Sequence, residues 1–162
     1  MKLRTLVAAA VLVATPAFFA THAIADDAVP QIFTAEDNNL ALGGYDAVSY
    51  FADGPVEGSA DYATTYKGAS FQFASQENLD TFLGDPDKFA PAYGGHCAWG
   101  AANAAAYPGD PKVWAIVDDR LYLNYNTEVQ EGWNEDRAGF IETADAAWPG
   151  VLNPKPAAAQ GS

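Results

Sequence analysis

The sequence predicts a small, single-domain α+β fold with two β-hairpins and at least two helices. Two segments of alternating apolar and polar residues double back at short polar turns. Segments with apolar residues three or four apart follow them. Strands and helices therefore come in blocks and not in the regular alternation of a parallel α/β sheet. The chain has 162 residues, a length that suits one domain.

The ends read separately. Residues 1–25, MKLRTLVAAAVLVATPAFFATHAIA, carry Lys2 and Arg4, then an apolar run from Leu6, then Ala23-Ile24-Ala25. That order is the order of a secretory signal peptide cleaved after Ala25, and it predicts export to the periplasm. The apolar run is interrupted by Thr15-Pro16 and is shorter than the roughly 20 residues of a spanning helix, so no membrane span is expected after processing. No Arg-Arg pair suggests twin-arginine export. Residues 26–39 read as a polar lead-in, 40–149 as the domain and 150–162 as a flexible tail. No long repeat is evident. Gly-Asp-Pro occurs at 84–86 and at 109–111, each a turn or capping signal.

Within the domain, YATTYKGASFQFAS (62–75) reads as a hairpin turning at Lys67-Gly68, with Phe71 and Phe73 on one face. Ser75 caps a helix, QENLDTFLG, that turns Leu79, Phe82 and Leu83 to one side and stops at Gly84. Asp85-Pro86 starts a further helical turn with proline at its first position. VWAIVDDRLYLNYN (113–126) reads as a second hairpin turning at Asp118-Asp119. From Thr127 one helix is expected to run to about Trp148, with Val129, Trp133, Arg137, Phe140, Ala144 and Trp148 at spacings of three or four. Thr127 with Gln130 forms its candidate capping box.

Charge and cysteine content narrow the function. Eight Lys and Arg face 21 Asp and Glu, a net charge of −13 that becomes −15 when Lys2 and Arg4 leave with residues 1–25. Nucleic acid and anionic membrane are poor partners for such a chain, because phosphate neutralisation needs cations. Most of the charge reads as solubility. There is no G-x-S-x-G elbow and no phosphate-binding glycine loop, so the chain leans away from an enzyme. One cysteine, Cys97, leaves a thiol that is free, metal-bound or paired with another molecule. It sits in YGGHCAWG (93–100), next to His96. Gly94-Gly95 would let the backbone turn so that Cys97 opens a short helix, CAWGAANAAA.

Two stretches carry a resemblance. The first is GGYDAVSYF (43–51). The second runs through Tyr66-x-Gly68, Phe71-x-Phe73-x-Ser75, Asn78, Phe82, Asp85-Pro86, Lys88-Phe89 and Pro91 to YGGHCAWG. Together they resemble the YHS domain in its exported bacterial branch, over about residues 40–149. The resemblance implies a small α+β module related to the TRASH metal-binding modules, many of which accompany copper and other heavy-metal transport proteins. Where metal-type relatives place cysteines, this chain has Ser49, Ala74 and Asn78, none of them a soft ligand. The exported branch instead carries the cysteine after the paired glycines, here Cys97, and some relatives are selenoproteins.

Several readings of Cys97 follow. As a metal centre, Cys97 would be the principal ligand and His96 its helper, with Tyr93, Tyr45 and Asp46 as possible neighbours. Cu(I), a soft ion, suits this set better than zinc, which wants four Cys or His ligands. Two chains in a homodimer could pool an S2N2 set. Adjacent side chains diverge on both strands and helices, which counts against a joint site within one chain. As a redox protein, the chain would use Cys97 as a nucleophile with a thiol partner protein, since no second cysteine resolves it. As a non-catalytic interaction module, it would bury an inert thiol.

Overall fold

A computed structural model describes residues 29–35 and 38–153. The expected cleavage site after Ala25 and most of the expected tail, from residue 154, lie outside the described residues. No described helix is long and apolar enough to cross a membrane.

The fold is α+β, built on two antiparallel hairpins in separate two-stranded sheets. Strand β1 (Ser59–Tyr66) pairs with β2 (Ala69–Phe73), and β3 (Asp110–Val117) pairs with β4 (Arg120–Asn124). Both turns fall where expected. Lys67 and Gly68 have φ of 46° and 86°, and Asp118 and Asp119 have φ of 49° and 58°. Two left-handed residues in succession match the right-handed twist of the strands. Helix α1 (Gln76–Gly84) is capped by Ser75, whose side chain accepts from Asn78 N–H. Asp85 caps the single turn α2 (Pro86–Phe89) with proline in its first turn.

Three expectations change. Leu83 is 53% exposed; α1 buries Phe82 alone, because a nine-residue helix on a two-stranded sheet has only a narrow inward stripe. The helix expected from Thr127 to Trp148 is two helices, α4 (Thr127–Glu135) and α5 (Arg137–Ala147). Asp136 separates them with extended φ, and its carboxylate caps Gly139 N–H at 3.0 Å. The cap of α4 is Asn126, whose Oδ1 accepts from Val129 N–H, and Thr127 is already helical. Periodicity cannot see such a break, because the apolar spacing continues across it.

The fold also repeats internally, although no long repeat is evident in the sequence. Positions 51 apart share structure from Leu42 to Phe89 and from Tyr93 to Phe140. Leu42-Gly43-Gly44 has φ of 54°, 60° and 89°; Tyr93-Gly94-Gly95 has φ of 53°, 63° and 84°. Tyr45 N–H reaches Leu42 O at 3.1 Å, and His96 N–H reaches Tyr93 O at 3.0 Å. Asp46 N–H reaches Val56 O at 2.8 Å, and Cys97 N–H reaches Tyr107 O at 2.9 Å. Strands β1 and β3, β2 and β4, and helices α1 and α4 have equal lengths and matching starts. Each hairpin has a register shift after its first pair. The caps Ser75 and Asp85 correspond to Asn126 and Asp136.

Each copy has its own core. Leu42, Ala47, Tyr50, Phe71 and Phe82 are buried in the first, and their counterparts Tyr93, Ala98, Ala101, Tyr122 and Trp133 in the second. Larger residues at three of these positions in the second core accompany Ala101 in place of Tyr50 and offset part of the volume it gives up. Strand β4 joins the copies. Its residues 121–124 are all buried: Leu121 and Leu123 pack in the first core, and Tyr122 in the second.

The segments flanking the expected domain also pack on it. Ile32 is buried, and Phe33 N–H donates to Gly94 O at 2.8 Å. A Cβ at Gly94 would lie 1.7 Å from Gln31 O, so only glycine admits this lead-in. Gly150–Leu152 forms a 3-10 turn with Val151 and Leu152 buried, placing packed residues inside the segment expected to be tail.

Candidate functional site

The sequence grouped Cys97, His96, Tyr93, Tyr45 and Asp46 as possible neighbours. In the fold they occupy corresponding positions of two copies: Tyr45 matches His96, and Asp46 matches Cys97. They do not form one cluster, and no group of three or more His, Cys, Asp or Glu able to hold a metal occurs among the described residues.

Asp46 is fully buried. Its Oδ1 accepts from Val48 N–H at 2.8 Å and Ser49 N–H at 3.3 Å. Its Oδ2 accepts from Ala74 N–H at 2.9 Å and from Asn78 Nδ2 at 2.6 Å. Ser49 Oγ donates to Asp46 O at 2.7 Å and accepts from Val56 N–H at 3.1 Å. Ser49, Ala74 and Asn78, the three positions where the resemblance places cysteine ligands, therefore converge on one carboxylate. Its oxygens are taken up by N–H donors, and the set offers no soft ligand, so a metal bound by thiolates does not fit here.

Cys97 is 1% exposed and caps α3 (Ala98–Ala102), so it opens a helix of one turn. Gly100 N–H points at Sγ from 3.5 Å. The thiol donates to Asn124 Oδ1 at 3.6 Å, and the same oxygen accepts from Trp99 N–H at 3.3 Å. On its other side Cys97 lines a cleft of about 490 Å3 with Trp99, Tyr107, Pro108, Tyr125 and Val129. Tyr107 and Tyr125, each 53% exposed, form apolar rims. Asn124 was not singled out from sequence. Its only signal is a polar residue directly after the apolar run Leu121–Leu123 of its strand.

His96 lies elsewhere. His96 (φ −70°, ψ 156°) and Cys97 (φ −58°, ψ 123°) are both extended, so their side chains leave opposite faces. The imidazole is 2% exposed and packs against Phe33 and Trp148, with ring centroids 5.6 Å away in each case. Nε2 lies 2.9 Å from Pro30 O. A carbonyl only accepts, so Nε2 carries the proton and Nδ1, which has no partner, holds the lone pair. Burial holds the His96 pKa below its ordinary value, against an upward pull from the Pro30 and Tyr107 carbonyls.

Tyr93 belongs to a third neighbourhood. Its hydroxyl donates to Asp145 Oδ1 at 2.9 Å, and Arg120 pairs with the same carboxylate at 3.0 Å and 3.2 Å. Burial, then Asp145, pushes the Tyr93 hydroxyl well above its usual range. Tyr45 is half-buried, with the Lys112 ammonium 5.9 Å from its ring centroid.

Residues 48–93 match the family model of the YHS domain, a module associated with metal binding in general. The match spans most of the first copy and ends three residues before His96, so Cys97 lies beyond it. No curated protein and no solved structure matches the chain significantly.

Proposed function

We propose that the protein, whose residues 48–93 match the YHS domain model, is exported to the periplasm and handles metal there, binding Cu(I) through Cys97. The observation that carries this reading is the position of the chain's one thiol, in an apolar, aromatic-walled cleft of about 490 Å3. Cu(I) is soft, favours thiolate and accepts few ligands. Aromatic faces attract cations, and the net charge of −15 left once residues 1–25 are removed draws cations to the surface. Zinc is a poorer match, since its structural sites take four ligands. His96 faces away from Cys97 and does not serve as its helper, so a second ligand comes from a small molecule or a thiol partner protein. The depth of Cys97 favours one ion per chain over an ion shared in a homodimer.

A Cu(I) titration of the reduced protein against a chromophoric competitor tests this. The expected result is uptake near one ion per chain, abolished in Cys97→Ser. Uptake near half an ion would assign the site to two chains. Uptake that survives in the variant, or none at all, rejects Cys97 as a copper ligand. A second reading, a thiol-based redox protein with Cys97 as nucleophile, draws on the Gly100 N–H aimed at the sulfur. It predicts alkylation of Cys97 in the folded protein much faster than that of free cysteine near neutral pH.

A further inference from the structure

Cys97 stands where the first copy has Asp46, and the donors around the two residues correspond. In the first copy Oδ1 serves Val48 and Ser49 N–H, and Oδ2 serves Ala74 N–H and Asn78 Nδ2. In the second copy the first task is divided. Gly100 N–H, the counterpart of Ser49, goes to Sγ, and Trp99 N–H, the counterpart of Val48, goes to Asn124 Oδ1. The counterparts of Ala74 and Asn78 are Tyr125 and Val129, and both line the cleft beside Cys97. The volume that Oδ2 fills in one copy thus corresponds to open cleft in the other. On the residue that touches the thiol a donor lacks an acceptor: Asn124 is fully buried, its Oδ1 accepts from Cys97, and its Nδ2 has no partner. Buried donors are nearly always satisfied.

We propose that Cys97 is an oxidation site, converted by hydrogen peroxide to a sulfinate that the second copy holds as the first holds the Asp46 carboxylate. A cysteine sulfinate has what an aspartate has: one methylene, two oxygens and one negative charge. The thiol first gives up its proton to solvent, and the thiolate then attacks one peroxide oxygen. The O–O bond breaks, an S–O bond forms, and sulfenate and water result. A second peroxide repeats the exchange at sulfur and leaves sulfinate and a second water. Each step oxidises sulfur by two electrons and reduces one peroxide. With no other cysteine in the chain, the sulfenate has no internal thiol to condense with. The new oxygens give acceptors to Asn124 Nδ2 and Gly100 N–H. The proposal shares the open cleft with the thiol reading above and needs no copper. If both hold, oxidation removes the soft ligand and switches metal uptake off.

The test exposes the purified, folded protein to rising hydrogen peroxide, reads the mass of the Cys97 peptide and follows thermal unfolding. The peptide should gain two oxygens and stop there in excess peroxide, while the same peptide of Cys97→Ser gains none. Cys97→Asp, which installs the carboxylate directly, should fold and melt at or above Cys97→Ser, and the oxidised protein at or above the reduced one. Cys97 left unoxidised until the protein is denatured, or Cys97→Asp melting well below Cys97→Ser, would overturn the proposal. Copper uptake by the reduced protein is measured separately, so either reading can fail alone.

Discussion

The Asp46 carboxylate is buried and engages four N–H groups from three chain segments. Replacing it with asparagine turns one acceptor into a donor that faces other donors. Hydrogen bonds to a charged group contribute about 1.5–3 kcal/mol each, and a stranded buried donor costs about 1–3 kcal/mol. Asp46→Asn should therefore lose about 3 kcal/mol in urea unfolding. A loss below ~1 kcal/mol would mean that the donors find other partners. His96 makes a pH prediction at the same scale. Its pKa is lowered in the fold from an ordinary 6.5, so the unfolded chain binds the proton first. The stability contributed by neutral, buried His96 is complete above about pH 6.5 and falls as pH drops below it. Unfolding of the wild type and of His96→Gln across pH 5–8 should converge at the acid end of that range. Parallel curves would remove His96 as the cause.

At the scale of elements, the break between α4 and α5 rests on Asp136, which caps Gly139 N–H just as Asp85 caps Lys88 N–H in the first copy. An N-cap contributes about 1 kcal/mol. Asp136→Ala should lose about that much and reduce helical content, measured by denaturant unfolding and circular dichroism. A gain in helicity would mean that α4 and α5 fuse into the single helix that the apolar spacing suggests. Both hairpins were legible because Lys67-Gly68 and Asp118-Asp119 interrupt alternating runs. The structural repeat was not. Few residues repeat at a distance of 51, among them Gly43-Gly44 with Gly94-Gly95, Gly58 with Gly109 and Asp85 with Asp136. What recurs is backbone conformation and burial, which different side chains satisfy equally well.

Across the whole molecule, the lead-in closes the fold. Ile32 is buried, Phe33 N–H bonds Gly94 O, Pro30 O accepts from His96, and Val29 N–H reaches Leu152 O at 3.2 Å. Full burial of one large aliphatic side chain stabilises by about 1.5–3 kcal/mol, and the hydrogen bonds add to it. A chain beginning at residue 38 should lose about 3 kcal/mol or more by urea unfolding, with His96 left without its acceptor. An unchanged midpoint would show that these contacts contribute nothing net.

By itself the sequence determined what depends on neighbours along the chain: the turns, the Ser75 and Asp85 caps, the α+β order, and the limit that one thiol and one nearby imidazole place on metal chemistry. The YHS pattern was legible too, because its residues recur in fixed local order. Only the tertiary structure decided which candidates meet. The extended backbone at 96–97 sends His96 to the lead-in and Cys97 to its cleft. The convergence of Ser49, Ala74 and Asn78 on Asp46, and of Asn124 on Cys97, depends on pairings between distant segments. Those pairings follow from burying two cores against a shared strand, a condition no local window of the chain contains.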